Sequence, residues 1–140
     1  METAHVDVKT LRSVLADQPF NAVDFLKIDT EGYDLFVLRG FPWEKYTPQI
    51  VICEFEDSKT RPLGYQHSDL GDFLLGVGYT VFVSEWQPIV RYGVSHSWKR
   101  LDRYPCEGIN AHGWGNFVAI RSDLDPGFLL HYSKSFSSSP

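Results

Sequence analysis

Apolar residues recur along this chain with two different spacings. Residues 5 to 8, HVDV, alternate weakly and predict a short strand. Thr10 predicts an N-cap for a helix running through LRSVLAD, with Leu11, Val14 and Leu15 on one face and Pro19 closing it. AVDFLKID, residues 22 to 29, reads as the first strong strand. Its near-continuous apolar run suits a parallel strand covered on both faces. Thr30 predicts the cap of a helix over roughly residues 31 to 39, with Leu35 and Leu38 sharing a face. Gly40 and Pro42 then form a stop signal. PQIVICEFE, residues 48 to 56, is the second strong strand, and residues 57 to 66 read as an excursion loop. Ser68 predicts the cap of a helix carrying Leu70, Phe73, Leu74 and Val77, ended by Gly78. YTVFVSEW, residues 79 to 86, and GNFVAIRS, residues 115 to 122, predict two more strands, with an irregular aromatic stretch over 87 to 113 between them. The alternation predicts an α/β fold with about four strands, mainly parallel, with helices on its faces. One domain is expected over residues 1 to 132, with a Ser-rich tail over 133 to 140 and no internal repeat.

Composition narrows the class. The 140 residues are 43% hydrophobic and 15% aromatic, enough for a sizeable core. A net charge of -5 leaves no basic face for nucleic acid; Lys99, Arg100 and Arg103 are the one tight basic cluster. Two distant cysteines, Cys53 and Cys106, form neither a disulfide framework nor a C-x-x-C zinc site. Cys53 inside an apolar run suggests a reduced thiol and a reducing, cytoplasmic setting. No signal-peptide pattern and no membrane-length apolar run occurs, so no membrane partner is expected.

Charge enters the pattern at one seam, where a strand meets a helix: Lys27, Asp29, Thr30, Glu31. The second strong strand ends in Glu54, Glu56 and Asp57. Ligands of open parallel sheets sit outside the carboxyl ends of the strands. If the two strands are neighbours, four carboxylates converge on one rim. Lys27, a divalent metal or a cationic ligand would then be needed to offset their repulsion. The plainer reading is that Asp29 and Glu31 favour a helix N-terminus electrostatically. Gly32 weighs against it, because glycine in a first helical turn costs about 1 kcal/mol relative to Ala and implies a close neighbour.

VDFLKIDTEGYDLFVLRGF followed by PQIVICEFE resembles the FkbM-like family of S-adenosylmethionine-dependent methyltransferases. That family carries K-I-D-x-E-G at a strand-to-helix turn, a helix ending L-x-G, and a strand ending in glutamate. Here these are Lys27, Ile28, Asp29, Glu31, Gly32, Leu38, Gly40 and Glu54. The resemblance implies half of a Rossmann-like methyltransferase sheet. In family order its strands would be 4-5-7-6, the last inserted antiparallel. It also implies Asp29 and Glu31 at the methyl-transfer site, with Lys27 as a charge partner and Glu54 and Gly32 in support. The cofactor would be S-adenosylmethionine and the acceptor a hydroxyl of a sugar or natural product. Such enzymes hold the cofactor with a Gly-rich turn after their first strand. Only 22 residues precede Val23, whereas each βαβ unit takes about 30. The expectation is therefore a chain lacking the cofactor-binding half, with an open apolar strand edge that pairs with a second copy or another chain.

Two other classes stay open: a non-catalytic binding or assembly module on half the fold, and a metal-dependent hydrolase using Asp29, Glu31, Glu54 and Glu56. G-x-S-x-G is absent, so no nucleophile elbow is expected. Gly76-Val-Gly78 follows a helix and precedes a strand, the reverse of the order a cofactor loop needs, and Gly113-Trp-Gly115 lies before a strand; both read as turns. His5, His67 and His131 read as surface residues, and His96 and His112 as packing. Trp86, Tyr92, Trp98 and Trp114 form either a sugar-stacking wall or a core sealing one sheet face, and the core is the simpler reading.

Overall fold

The computed structural model describes residues 3 to 91 and 93 to 131. Tyr92 and the Ser-rich tail lie outside the described residues. The elements are α1 (Leu11–Ala16), β1 (Phe25–Ile28), α2 (Asp34–Arg39), β2 (Ile50–Glu56), α3 (Asp57–Thr60), a 3-10 turn (Arg61–Leu63), α4 (His67–Gly76), β3 (Tyr79–Trp86), β4 (Trp98–Arg103) and β5 (Trp114–Arg121). The strands form one five-stranded mixed sheet in the order β1-β2-β5-β3-β4.

The fold is α/β, as the alternation implies, but the sheet is not mostly parallel. Only β1 and β2 pair in parallel; β5 runs antiparallel to both β2 and β3, and β4 antiparallel to β3. The last strand does insert between the second and third, so β1-β2-β5-β3 has the expected order. The fifth strand, β4, comes from the stretch read as irregular. Its sequence WKRLDR has no apolar period, and ion pairs hold it instead. Glu85 of β3 is fully buried and receives Lys99 Nζ at 2.8 Å and Arg100 Nε at 2.7 Å.

Residues 5 to 8 form no strand. Thr10 caps α1 as expected, its hydroxyl accepting from Ser13 N. The excursion loop is largely helical, as α3 and the 3-10 turn. α4 starts one residue before Ser68 and is capped by Gln66, with Asp69 reaching back to the Gln66 amide in a capping box.

The core explains which sheet face is covered. Leu35 and Leu38 of α2 and Leu70 and Leu74 of α4 pack on Val51, Cys53, Phe55, Val81, Val83, Phe117 and Ala119. All these strand residues point to one face. Along β2 the pattern alternates strictly between buried and half-buried, and along β1 only Ile28 is buried, so the two-sided cover expected of the first strand is not met. On the opposite face Ile52, Glu54 and Glu56 of β2, Trp114, Asn116 and Val118 of β5, and Ser84 and Trp86 of β3 are half-buried, while Ile120 of β5 and Phe82 of β3 are buried. β1 forms one border of the sheet, and its Phe25 is 54% exposed.

Candidate functional site

Parallel pairing places the exits of β1 and β2 side by side. Ile28 lies opposite Cys53, so Asp29 and Glu54 follow at the same level of the rim. The carboxylates of Asp29, Glu31 and Glu54 offer oxygens that all lie within 4.8 Å of one another. The structure thus brings together three of the residues singled out from the pattern. Lys27 joins them, with Nζ 3.0 Å from Asp29.

The turn between β1 and α2 is built for this. Thr30 does not cap a helix beginning at residue 31; α2 begins at Asp34. Instead, the Thr30 amide and hydroxyl both donate to Asp34 Oδ2, at 3.2 and 2.9 Å. The other oxygen of Asp34 accepts the Glu54 amide at 3.0 Å. Asp34 is 1% exposed, so one buried carboxylate ties the ends of both strands together. Glu31 and Gly32 both take positive φ, at 53° and 99°. Gly32 therefore sits in a left-handed turn and not in a first helical turn. The close neighbour expected there is Lys59, whose Cβ would lie 3.2 Å from any Cβ added at Gly32.

Lys59 is the residue that sequence patterning missed. Its Nζ lies 2.5 Å from Glu31, 2.7 Å from Glu56 and 3.9 Å from Glu54. The cation required among the carboxylates is thus this ammonium, delivered from α3. Burial pulls the Lys59 pKa down, but hydrogen bonds to Glu31 and Glu56 outweigh it and raise it above the ordinary lysine value. Glu54 shifts the other way from most ion-paired acids. Desolvation lifts it to about 6, and Lys59 offsets only part of that.

Other histidines and aromatics also fall into place. His67 is not a surface residue: its Nδ1 lies 2.9 Å from the buried Asp57, which also accepts the His67 amide. The indoles of Trp86 and Trp114 stack with ring centroids 5.6 Å apart, and His96 meets Trp114 edge-on at 5.8 Å. These rings stay half-exposed at the rim, so they do not seal the sheet face.

S-adenosylmethionine needs a glycine-lined cradle opening onto a helix N-terminus. The described residues do not fit it. Gly32 is filled by Lys59; Gly78 is an open turn; Gly113 and Gly115 face the backbone oxygens of Trp86 and Ser84. A surface hollow of about 280 Å³ lies beside Arg61, Gly64, Tyr65, Gln66 and Asp69, with none of the rim carboxylates in its lining. No helix among the described residues is long and apolar enough to cross a membrane.

No curated protein matches the chain, and no solved structure does. The family described as methyltransferase FkbM domain matches residues 1–81, more than half of the chain. That span contains β1, β2, Lys59 and the whole carboxylate rim. The chain belongs to the FkbM methyltransferase domain family.

Proposed function

We propose that this chain carries the acceptor-activating part of an O-methyltransferase, with its sheet corresponding to the carboxyl-terminal half of a Rossmann-like methyltransferase sheet. Strand order β1-β2-β5-β3 and the open border at β1 support that correspondence. Further strands would add at β1. Family membership supports S-adenosylmethionine as the methyl donor. The described residues supply no cradle for it, so its handling is left to groups outside them.

The observation that carries the reading is the convergence of Asp29, Glu31 and Glu54, whose carboxylate oxygens lie within 4.8 Å of one another. A hydroxyl must lose its proton as it becomes a nucleophile. A general base acts best with a pKa near the working pH, and Glu54 lies at about 6. Asp29, steadied by Lys27, and Glu31, steadied by Lys59, would accept hydrogen bonds from the acceptor and orient its oxygen. Lys59 would keep the rim from repelling the developing alkoxide. A metal-dependent hydrolase is the weaker reading, because the ammonium of Lys59 already provides the positive charge that a divalent ion would bring.

The test is transfer of a labelled methyl group from S-adenosylmethionine to a panel of hydroxylated acceptors. Glu54→Gln should lower the rate by roughly a hundredfold, the lower range for a general base. Equal rates in Glu54→Gln and wild type would refute the role of Glu54. No transfer by the wild-type chain would favour the non-catalytic binding module, which the missing cradle supports.

A further inference from the structure

The turn that carries Glu31 is held from outside itself. Glu31 and Gly32 both lie in the left-handed region, at φ 53° and 99°. A residue with a Cβ rarely enters that region. The closing hydrogen bond of the turn, from the Tyr33 amide to the Thr30 carbonyl, is long at 3.3 Å. Packing gives Glu31 little support, since its side chain is 75% exposed. The direction of its carboxylate is therefore set by the backbone. A return of Glu31 to negative φ would swing its Cα–Cβ bond and carry the carboxylate away from Asp29 and Glu54.

The outside support comes from the segment between β2 and α4. Asp57 and His67 tie its two ends together: Asp57 Oδ1 accepts the His67 amide at 2.8 Å, and Oδ2 lies 2.9 Å from His67 Nδ1. Within this closed segment Tyr65 is buried, and its hydroxyl donates to the Gly32 carbonyl at 2.6 Å. Its ring meets Phe36 of α2 edge-on, with centroids 5.7 Å apart. Burial pushes the Tyr65 hydroxyl up to about 12, so it remains a neutral donor wherever the rim carboxylates titrate. Lys59, from the same segment, grips the Glu31 carboxylate and sets its own Cβ beside Gly32. Lys59 thus holds the charge, and Tyr65 holds the backbone beneath it. The Tyr65 hydroxyl is spent on that carbonyl, so it acts on the rim only through the turn.

We infer that Tyr65 is a positioning residue of the carboxylate rim: through the Gly32 carbonyl it holds the left-handed turn that keeps Glu31 beside Asp29 and Glu54. Its consequence for methyl transfer rests on the methyltransferase reading; its consequence for the rim does not. The charged groups facing Glu54 are Lys59, Asp29, Glu31 and Asp34. With the turn released, Glu31 withdraws its repulsion and frees Lys59 for Glu54. Both changes favour ionised Glu54, so its titration midpoint falls. Loss of Lys59 itself has the opposite sign.

The experiment follows the Glu54 carboxyl carbon of the full chain through a pH titration. Tyr65→Phe keeps the ring and removes the hydroxyl. It should lower the Glu54 midpoint by roughly half a pH unit, the repulsion of one carboxylate at this range in water-like surroundings. Tyr79→Phe is the control: Tyr79 is also buried and donates to the Pro48 carbonyl at 2.7 Å, before the start of β2. It should lower the melting temperature as much and leave the midpoint in place. Glu31→Gln should lower the midpoint by itself, and adding Tyr65→Phe to it should move it no further. In methyl transfer, Tyr65→Phe should cut kcat about tenfold and leave KM for S-adenosylmethionine unchanged. If Tyr65→Phe does not fold, Gly32→Ala, strained at φ 99° and pressed on Lys59, disturbs the same turn and should lower the midpoint likewise. An unmoved midpoint in a folded variant would overturn the inference. So would an equal fall in Tyr79→Phe, an additive fall in the double variant, or an unchanged kcat in an active chain. A midpoint that falls as stated in a chain with no transfer activity would overturn the methyltransferase reading alone.

Discussion

Two carboxylate clusters lie at opposite sides of the same sheet, and they are built on opposite terms. At β3 and β4, Glu85 is fully buried and takes Lys99, Arg100 and the Asn110 amide, all within 2.8 Å. Burial alone would raise its pKa, but those donors reverse the shift and lower it. At β1 and β2, Asp29, Glu31, Glu54 and Glu56 share two lysines, and Glu54 is lifted to about 6. A carboxylate answered by three donors fixes the position of a strand. One that is desolvated and poorly answered is left ready to take a proton.

The contrast can be broken most sharply at Glu85. Glu85→Ala removes the anion from two cations that are themselves only partly exposed, and should cost about 3 kcal/mol in urea unfolding. A loss below about 1 kcal/mol would place Glu85 with ordinary surface pairs.

Glu54 should respond in the opposite sense. It binds its proton more tightly folded than unfolded, so ionising it opposes folding. Stability should fall as pH rises from about 4.5 through about 6, and stay lower above that. The shift corresponds to at most about 2 kcal/mol. Glu54→Gln should therefore raise stability at pH 7 and remove that slope while slowing methyl transfer. If Glu54→Gln destabilises at pH 7, the two clusters are alike after all.

The smallest effect is expected at Lys59. Lys59→Met should cost about 1 kcal/mol at low salt. It should also move the Glu54 titration, followed by the carboxyl carbon signal, above its wild-type midpoint. An unmoved midpoint would separate Lys59 from Glu54 and leave the rim without its shared cation.

These two clusters were not equally legible in the amino-acid pattern. FLKI and IVICEFE announce strands because their apolar residues have nowhere else to go, and parallel pairing then follows from the helix between them. Asp29, Glu31 and Glu54 were visible as charges at strand ends. The pairing of Glu85 with β4 was not visible, because WKRLDR is charged at four of its six positions and becomes a strand only through a partner one strand away. Lys59 escaped for a related reason: its side chain meets Glu31 across 28 residues of chain. Asp34 carries no mark in the pattern at all, and only the fold reveals that both its oxygens are occupied by backbone and hydroxyl donors.

Asp34 has a mechanical consequence. The distance between the two strand tips is held by the β1–β2 ladder and by the bonds of Asp34 to Thr30 and to the Glu54 amide, and not by attraction among the rim charges themselves. The frame is separate from what it carries. Protons can come and go on Glu54, and Lys59 can be exchanged, with the tips staying where the clamp has set them.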